Sequence, residues 1–124
     1  RVPVSARVLE LPAGLVGDEE DHLKESPLQA AQRELLEETG YVSESWEEAF
    51  SGCSSAGLCD EFVRIFIARN ARKEGPGGGV GTEKIQVHLV GLSGLDAFID
   101  AQMSAGVKVD LKVRLARAAR GLSE

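Results

Sequence analysis

The order of apolar and polar residues along the chain predicts several strands. Residues 1–11 alternate between apolar and polar side chains, which is typical of a half-buried strand. Residues 62–68 are almost all β-branched or aromatic, and this run predicts the central strand of a sheet. Residues 85–89 alternate again and predict a further strand, while residues 46–50 are compatible with a short one.

Apolar residues with a helical period predict three helices. The first lies between Ser26 and Gly40, the second carries Leu95 and Ile99, and the third begins near Asp110. The inward face of the third helix is predicted to consist of Leu111, Leu115, Ala118, Ala119 and Leu122. Strands mixed with a few helices indicate an α+β fold or a small α/β/α sandwich.

The first helix has local start and stop signals. Ser26 is a good N-cap, Pro27 suits the first helical position, and Gln29 completes the spacing of a capping box. Gly40 suits the C′ position that ends the helix. The predicted apolar stripe consists of Leu28, Ala31, Leu35 and Leu36. We therefore expect a short helix that is well defined at both ends.

The end of this helix is unusually acidic, because Glu34, Glu37 and Glu38 occupy its last turns. Like charges four residues apart destabilise a helix by about 0.2–0.5 kcal/mol. Carboxylates also face the negative end of the helix dipole, at a cost of about 0.3–1 kcal/mol each when exposed. Two readings remain open from charge alone: a site for a divalent cation, or a solvated acidic face relieved by Arg33.

Composition and charge narrow the class of protein. The chain has 124 residues, of which 43% are hydrophobic and 27% charged, as expected for one globular domain. No segment resembles a membrane span or a signal peptide. The net charge of −6 argues against nonspecific binding to nucleic acid or membranes. It leaves a phosphate-bearing substrate open, because a bound cation reverses the local field.

Three further stretches give expectations. Cys53 and Cys59 have no metal-ligand spacing, so we expect reduced thiols and a cytoplasmic protein. Residues 70–82 are rich in glycine and predict a flexible, mobile loop. The chain begins at Arg1, already within the strand-like alternation, and we expect it to be part of a longer protein with a preceding N-terminal β region.

The spacing of residues from Glu25 to Tyr41 resembles the Nudix box of Nudix hydrolases. Seven residues separate Glu25 from the triplet 33–35, and Glu37, Glu38, Gly40 and Tyr41 follow at the spacing of the box. Residues 9–14, 55–61 and 77–85 are similar to segments of the nucleoside-diphosphate-sugar branch of that family. The resemblance implies a Nudix fold over residues 1–124 as a single catalytic domain: an α/β/α sandwich with a mixed sheet and the loop–helix–loop of the box.

The resemblance also implies a role for particular residues. It makes Glu34, Glu38, Glu83 and the carbonyl of Ala13 ligands of Mg²⁺, with Mn²⁺ as an alternative, and it places Glu37 close to the metal. The implied catalytic residues are Glu37, Glu38 and Glu83. The implied contacts to substrate are Arg1, Leu15, Ser55 and Glu61. Glu25, Arg33 and Gly40 are implied to be structural, with Arg33 orienting the acidic residues.

Three features depart from the family pattern. Ten residues separate Gly14 from Glu25, so the loop before the box carries an insertion. Gly81 occupies the position where this branch often has its catalytic base, which leaves Glu83, Glu74, Glu61 or a hydroxide on the metal for that role. Ala56 stands where ADP-ribose-specific members typically have proline, which weakens that substrate assignment.

The function implied by the resemblance is Mg²⁺-dependent hydrolysis of the pyrophosphate of ADP-ribose or an ADP-sugar. The products would be a nucleoside monophosphate and a sugar phosphate. Hydrolysis of GDP-mannose or UDP-glucose is the alternative within enzymes, and a catalytically silent module that binds a nucleotide sugar is the alternative outside them. The branch usually forms homodimers, so we expect a dimer.

Overall fold

A computed structural model of the chain describes residues 6–16, 24–81 and 84–120. These residues form two compact units, one of residues 6–11 and 88–120, and the other of residues 12–16, 24–81 and 84–87. Both units contain strands, and the helices lie in both, so the prediction of an α+β fold is confirmed. No helix in the described part of the chain is long and apolar enough to cross a membrane.

The first unit packs two helices against a short parallel pair of strands. Strand β1 (Val8–Leu9) pairs in parallel with β6 (Lys108–Val109). Helix α2 spans Leu95–Ser104, and α3 spans Leu115–Arg120 after a 3₁₀ helix at Leu111–Arg114. The centre of the unit is Leu95, Ile99 and Val113, and Ile99 is completely buried. Around these three residues lie the partly buried Leu9, Leu11, Val90, Leu92, Val109 and Ala116.

The second unit contains helix α1 (Pro27–Thr39) and two antiparallel pairs of strands. Strand β2 (Tyr41–Val42) follows the helix directly and pairs with β5 (Arg72–Lys73). Strands β3 (Ser45–Cys53) and β4 (Phe62–Arg69) form a long hairpin. Its register shifts by one residue between Glu48 and Phe50, which marks a β-bulge. The hairpin includes the two strands predicted near 46–50 and at 62–68, and β3 is longer than predicted.

One predicted element is wrong, and another forms but differs in its first turn. Residues 84–90 form no strand, and the exposed fractions of Val87 (37%) and Leu89 (75%) show that the alternation there does not bury an apolar face. The third helix begins as a 3₁₀ turn, which has about three residues per turn and so rotates the following positions relative to an α-helix. As a result Val113 is buried, whereas Leu111, predicted to face inward, is 81% exposed.

Candidate functional site

Local interactions define both ends of helix α1. The side chain of Ser26 accepts a hydrogen bond from the Gln29 N–H at 3.1 Å, and the Ser26 N–H donates to Gln29 Oε1 at 2.8 Å. This is the reciprocal capping box that the sequence predicts. At the other end Gly40 adopts φ +80° and its N–H donates to the Leu36 carbonyl at 2.9 Å. The helix therefore ends at Thr39, and Glu37 and Glu38 lie in its last turn.

Arg33 joins the carboxylates along one side of α1. Its Nε and Nη2 groups donate to the two oxygens of Glu25 at 3.1 and 2.7 Å. Its Nη1 group donates to Glu34 Oε1 at 2.8 Å and to Glu37 Oε2 at 3.4 Å. The hydrogen bond to Glu25 raises the pKa of Arg33 above its ordinary value; burial opposes this shift, and Glu34 adds to it. Arg33 therefore stays charged and holds Glu25, Glu34 and Glu37 around one guanidinium.

The turn at Ala13 and Gly14 lies against the same end of the helix. The main-chain N–H of Ala13 donates to Glu38 Oε1 at 3.0 Å. A side chain on Gly14 would place its Cβ only 2.0 Å from Glu34 Oε1, so the turn approaches this carboxylate as closely as glycine allows. The structure thus brings together Ala13, Glu34 and Glu38, three of the four residues predicted to bind metal.

The glycine-rich stretch also contacts this end of α1, through what we call the glycine loop, residues 74–79. The N–H groups of Gly78 and Gly79 donate to the carbonyls of Glu38 and Glu37 at 2.8 and 2.9 Å. Residues 74–79 are therefore hydrogen-bonded to the end of α1, while the mobility of the stretch 70–82 stays a prediction. Sequence reasoning missed its role because glycine content predicts freedom, whereas here glycine permits close approach of two backbones.

The acidic residues provide oxygen donors of the type that Mg²⁺ and Mn²⁺ prefer. Within residues 6–16, 24–81 and 84–120, no three His, Cys, Asp or Glu side chains form a group ready to hold a metal ion. Glu83, the further predicted ligand, lies outside the described residues, as does Arg1. The donors present fit a divalent cation in chemistry, with Glu34 and Glu38 adjacent to the carbonyl-bearing turn at Ala13.

The other predicted substrate contacts lie in exposed segments. Leu15 is 66% exposed and directly follows the turn at Gly14. Ser55 and Glu61 lie in the exposed loop between β3 and β4. The Ser55 carbonyl accepts the N–H of Cys59 at 3.0 Å, and the Glu61 carbonyl accepts the N–H of Ser54 at 3.2 Å. The main chain of this loop is thus ordered by its own hydrogen bonds.

Glu74 and Glu61, two of the alternatives for a general base, lie in different surroundings. The carboxylate of Glu74 accepts a hydrogen bond from Arg72 Nε at 3.0 Å, and its backbone N–H donates to the Gly40 carbonyl at 2.8 Å. Glu74 therefore takes part in a surface ion pair and in the contact between the glycine loop and α1. Glu61 is exposed at the hairpin loop. Gly81 is exposed as well, with φ +63°.

Fold and site together define an α+β protein whose carboxylates gather at one helix end beside a tight turn. The NUDIX domain family model matches residues 2–102. The chain belongs to the Nudix family, as the spacing of the box indicates.

Several curated proteins are similar in sequence. A methanol dehydrogenase activator of Bacillus methanolicus is 33% identical over 93 residues, 75% of this chain and 47% of that protein. A GDP-mannose pyrophosphatase of Cronobacter sakazakii is 35% identical over 82 residues, 64% of this chain and 40% of that protein. An ADP-ribose pyrophosphatase of Mycobacterium tuberculosis is 38% identical over 69 residues, 56% of this chain and 31% of that protein. The chain spans less than half the length of these relatives.

Proposed function

We propose that this Nudix domain hydrolyses the pyrophosphate bond of a nucleoside diphosphate sugar, ADP-ribose or an ADP-sugar, in the presence of Mg²⁺. The observation that carries the proposal is the convergence of Glu34, Glu38 and the Ala13–Gly14 turn at one end of α1. The similarity to ADP-ribose pyrophosphatases of Mycobacterium tuberculosis and Bacillus subtilis supports the choice of substrate.

In this proposal Glu34, Glu38, Glu83 and the Ala13 carbonyl hold the cation. Mg²⁺ held by these residues would supply positive charge to neutralise a diphosphate and would activate water for attack. Arg33 keeps Glu34 in place through its contact at 2.8 Å, while the same guanidinium is itself held by Glu25. Glu37, near Arg33, lies beside the reacting groups. Leu15, Ser55, Glu61 and Arg1 contact the nucleotide sugar.

The first experiment compares variants that remove one carboxylate each. Glu38→Gln changes the residue that contacts the Ala13 turn, whereas Glu48→Gln changes an exposed strand residue paired with Arg64. We expect Glu38→Gln to lower turnover of ADP-ribose by about 100-fold, since even outer partners of a metal site contribute 10–100-fold. Glu48→Gln should retain wild-type turnover. Products are resolved by phosphorus NMR with Mg²⁺ present and after its removal by a chelator.

Two outcomes count against hydrolysis of ADP-ribose. Equal turnover of ADP-ribose by wild type and Glu38→Gln would show that the Glu38 carboxylate is not needed for the reaction. If the wild-type protein turns over none of the nucleotide sugars, including UDP-glucose, the proposal that it is an enzyme acting on them is wrong. Binding without turnover, measured by calorimetry, would identify a silent nucleotide-sugar module instead.

GDP-mannose is the second candidate substrate. The GDP-mannose pyrophosphatase matches 64% of this chain, a larger share than the 56% and 55% matched by the two ADP-ribose pyrophosphatases. The ratio of kcat/KM for GDP-mannose and ADP-ribose decides between them. The same preparation tests the proposed homodimer, because light scattering gives its mass directly.

A further inference from the structure

The C-terminal end of α1 concentrates negative charge of two kinds. The last carbonyl groups of a helix lack partners within the helix and carry the negative end of its dipole. No basic residue lies in the last turn of α1, and Glu37 and Glu38 add carboxylates there. Arg33 contacts the side chains of Glu34 and Glu37 and so offsets part of this charge. Donors for those carbonyls come from another segment.

The glycine loop supplies these donors from its main chain. The N–H groups of Glu74 and Gly75 both donate to the Gly40 carbonyl, at 2.8 and 3.0 Å. The N–H groups of Gly78 and Gly79 donate to the carbonyls of the two glutamates at 2.8 and 2.9 Å. Four N–H dipoles therefore point at the carboxyl end of the acidic helix, where partial positive charge is most favourable.

This approach requires glycine at two positions. At Gly40 a Cβ would lie 2.1 Å from the carbonyl oxygen of Gly75. At Gly77 a Cβ would lie 2.6 Å from the carbonyl carbon of Thr39 and 2.9 Å from the Gly40 nitrogen. All of these neighbours are backbone atoms, so a larger residue has to displace the loop from the helix. Gly40 belongs to the box, whereas Gly77 lies 37 residues later in the chain.

We propose that Gly77 is a positioning residue for the acidic helix end. Its missing side chain lets the glycine loop lie against Thr39, so that Gly78 and Gly79 hold the main chain of Glu38 and Glu37. The position of that main chain determines the positions of the Glu37 and Glu38 side chains relative to the turn at Ala13. The inference rests on the proposed function, since it concerns carboxylates assigned to cation binding and hydrolysis.

A purely structural cap would behave differently from a positioning residue. If residues 74–79 only stabilised α1, then Gly77→Ala would lower the melting temperature without changing the behaviour of the folded protein. If they position Glu37 and Glu38, the folded variant has a weaker cation site and a lower kcat. Misplacement of reacting groups by about 1 Å reduces rates by up to about 100-fold.

The test compares Gly77→Ala with Gly106→Ala. Both glycines have positive φ, +67° and +88°, so alanine introduces backbone strain at each. Only Gly77 has atoms in the space of the new Cβ, because nothing lies within 4 Å of that position at Gly106. Gly106→Ala is therefore a control for strain without displacement of the loop.

The expected result has three parts. Gly77→Ala binds Mn²⁺ at least about fivefold more weakly by electron paramagnetic resonance, and its kcat falls about 10- to 100-fold. Gly106→Ala keeps wild-type Mn²⁺ affinity and kcat even where its melting temperature falls. In the wild-type protein the amide hydrogens of Gly78 and Gly79 exchange with solvent more slowly than those of an unstructured glycine.

The remaining outcomes are also decisive. Wild-type Mn²⁺ affinity and kcat in folded Gly77→Ala would overturn the proposal, as would unprotected amides of Gly78 and Gly79 in the wild-type protein. Should Gly77→Ala fail to fold, Gly77→Asn keeps the added Cβ with less backbone strain, because asparagine tolerates positive φ. Should the wild-type protein hydrolyse nothing, the proposed function fails, whereas Mn²⁺ affinity and amide exchange still decide the role of Gly77.

Discussion

Replacing Arg33 by methionine removes the guanidinium and keeps most of the apolar stem. In this variant Glu25, Glu34 and Glu37 lose their ion pairs with the Arg33 guanidinium. The Arg33 and Glu25 side chains are only 17% and 10% exposed, so water replaces the lost contacts poorly. Charge-assisted hydrogen bonds contribute about 1.5–3 kcal/mol each, and breaking a buried ion pair costs about 3–5 kcal/mol.

We expect Arg33→Met to lower the free energy of unfolding by about 3 kcal/mol, at the low end of that range because the pair is not fully buried. At roughly 3–5 °C per kcal/mol for a chain of this size, the melting temperature should fall by about 10–15 °C. Glu25→Gln leaves Arg33 with fewer acceptors and should cost about 2 kcal/mol. The double variant should lose less than the sum of the two, because both changes break the same pair.

Urea unfolding followed by circular dichroism and by the fluorescence of Trp46, the chain's single tryptophan, measures these losses. Arg64→Met is the control, because Arg64 and Glu48 form an ion pair with side chains 45% and 39% exposed. Such a pair contributes about 0–1 kcal/mol. An Arg33→Met variant that loses no more stability than Arg64→Met would refute the reasoning, as would strict additivity with Glu25→Gln.

The pH dependence of this loss follows from the raised pKa of Arg33. A group whose pKa is raised on folding contributes stability that is fully present below its unfolded pKa and is lost only as pH rises through the folded value. The ordinary pKa of arginine already lies well above the pH range in which the protein is studied. Arg33 therefore keeps its charge at every working pH, and its own titration adds no pH dependence between pH 6 and about 10.

Two other predictions concern the turn and the core. Gly14→Ala forces Glu34 Oε1 away from the new Cβ. Because the end of a carboxylate side chain moves easily, we expect little loss of stability but about a tenfold lower kcat. Gly94→Ala is the control, since its Cβ would meet nothing within 4 Å. Val113→Ala should cost about 2 kcal/mol in urea unfolding, whereas Leu111→Ala should cost less than about 0.5 kcal/mol; equal losses would contradict the burial pattern.

Helix α1 is predictable from sequence because its signals are local. Ser26 and Gln29 cap each other across three residues, and Gly40 ends the helix through a bond to Leu36. Arg33 likewise lies four residues before Glu37, so the contact between these two side chains follows from helical geometry. Interactions inside a helix need no knowledge of the rest of the fold.

The rest of the site depends on contacts between distant segments. Composition shows that residues 74–79 are glycine-rich, but not that their amides meet a helix end more than 30 residues away. The third helix shows the same limit on a smaller scale: its first turn is 3₁₀, and this changes which of Leu111 and Val113 is buried. Periodicity assumes one helical geometry and cannot register such a change.

The contacts seen at the acidic helix end redistribute its charge without removing it. Arg33 joins Glu25, Glu34 and Glu37, so three carboxylates share one guanidinium. Hydrogen bonds from Ala13 and the glycine loop orient dipoles toward this charge but carry no net charge themselves. A divalent cation bound there would lower the negative charge of the cluster, and a substrate pyrophosphate would then meet less repulsion. The carboxylates that destabilise an isolated α1 helix are thus suited to a helix that binds a divalent cation.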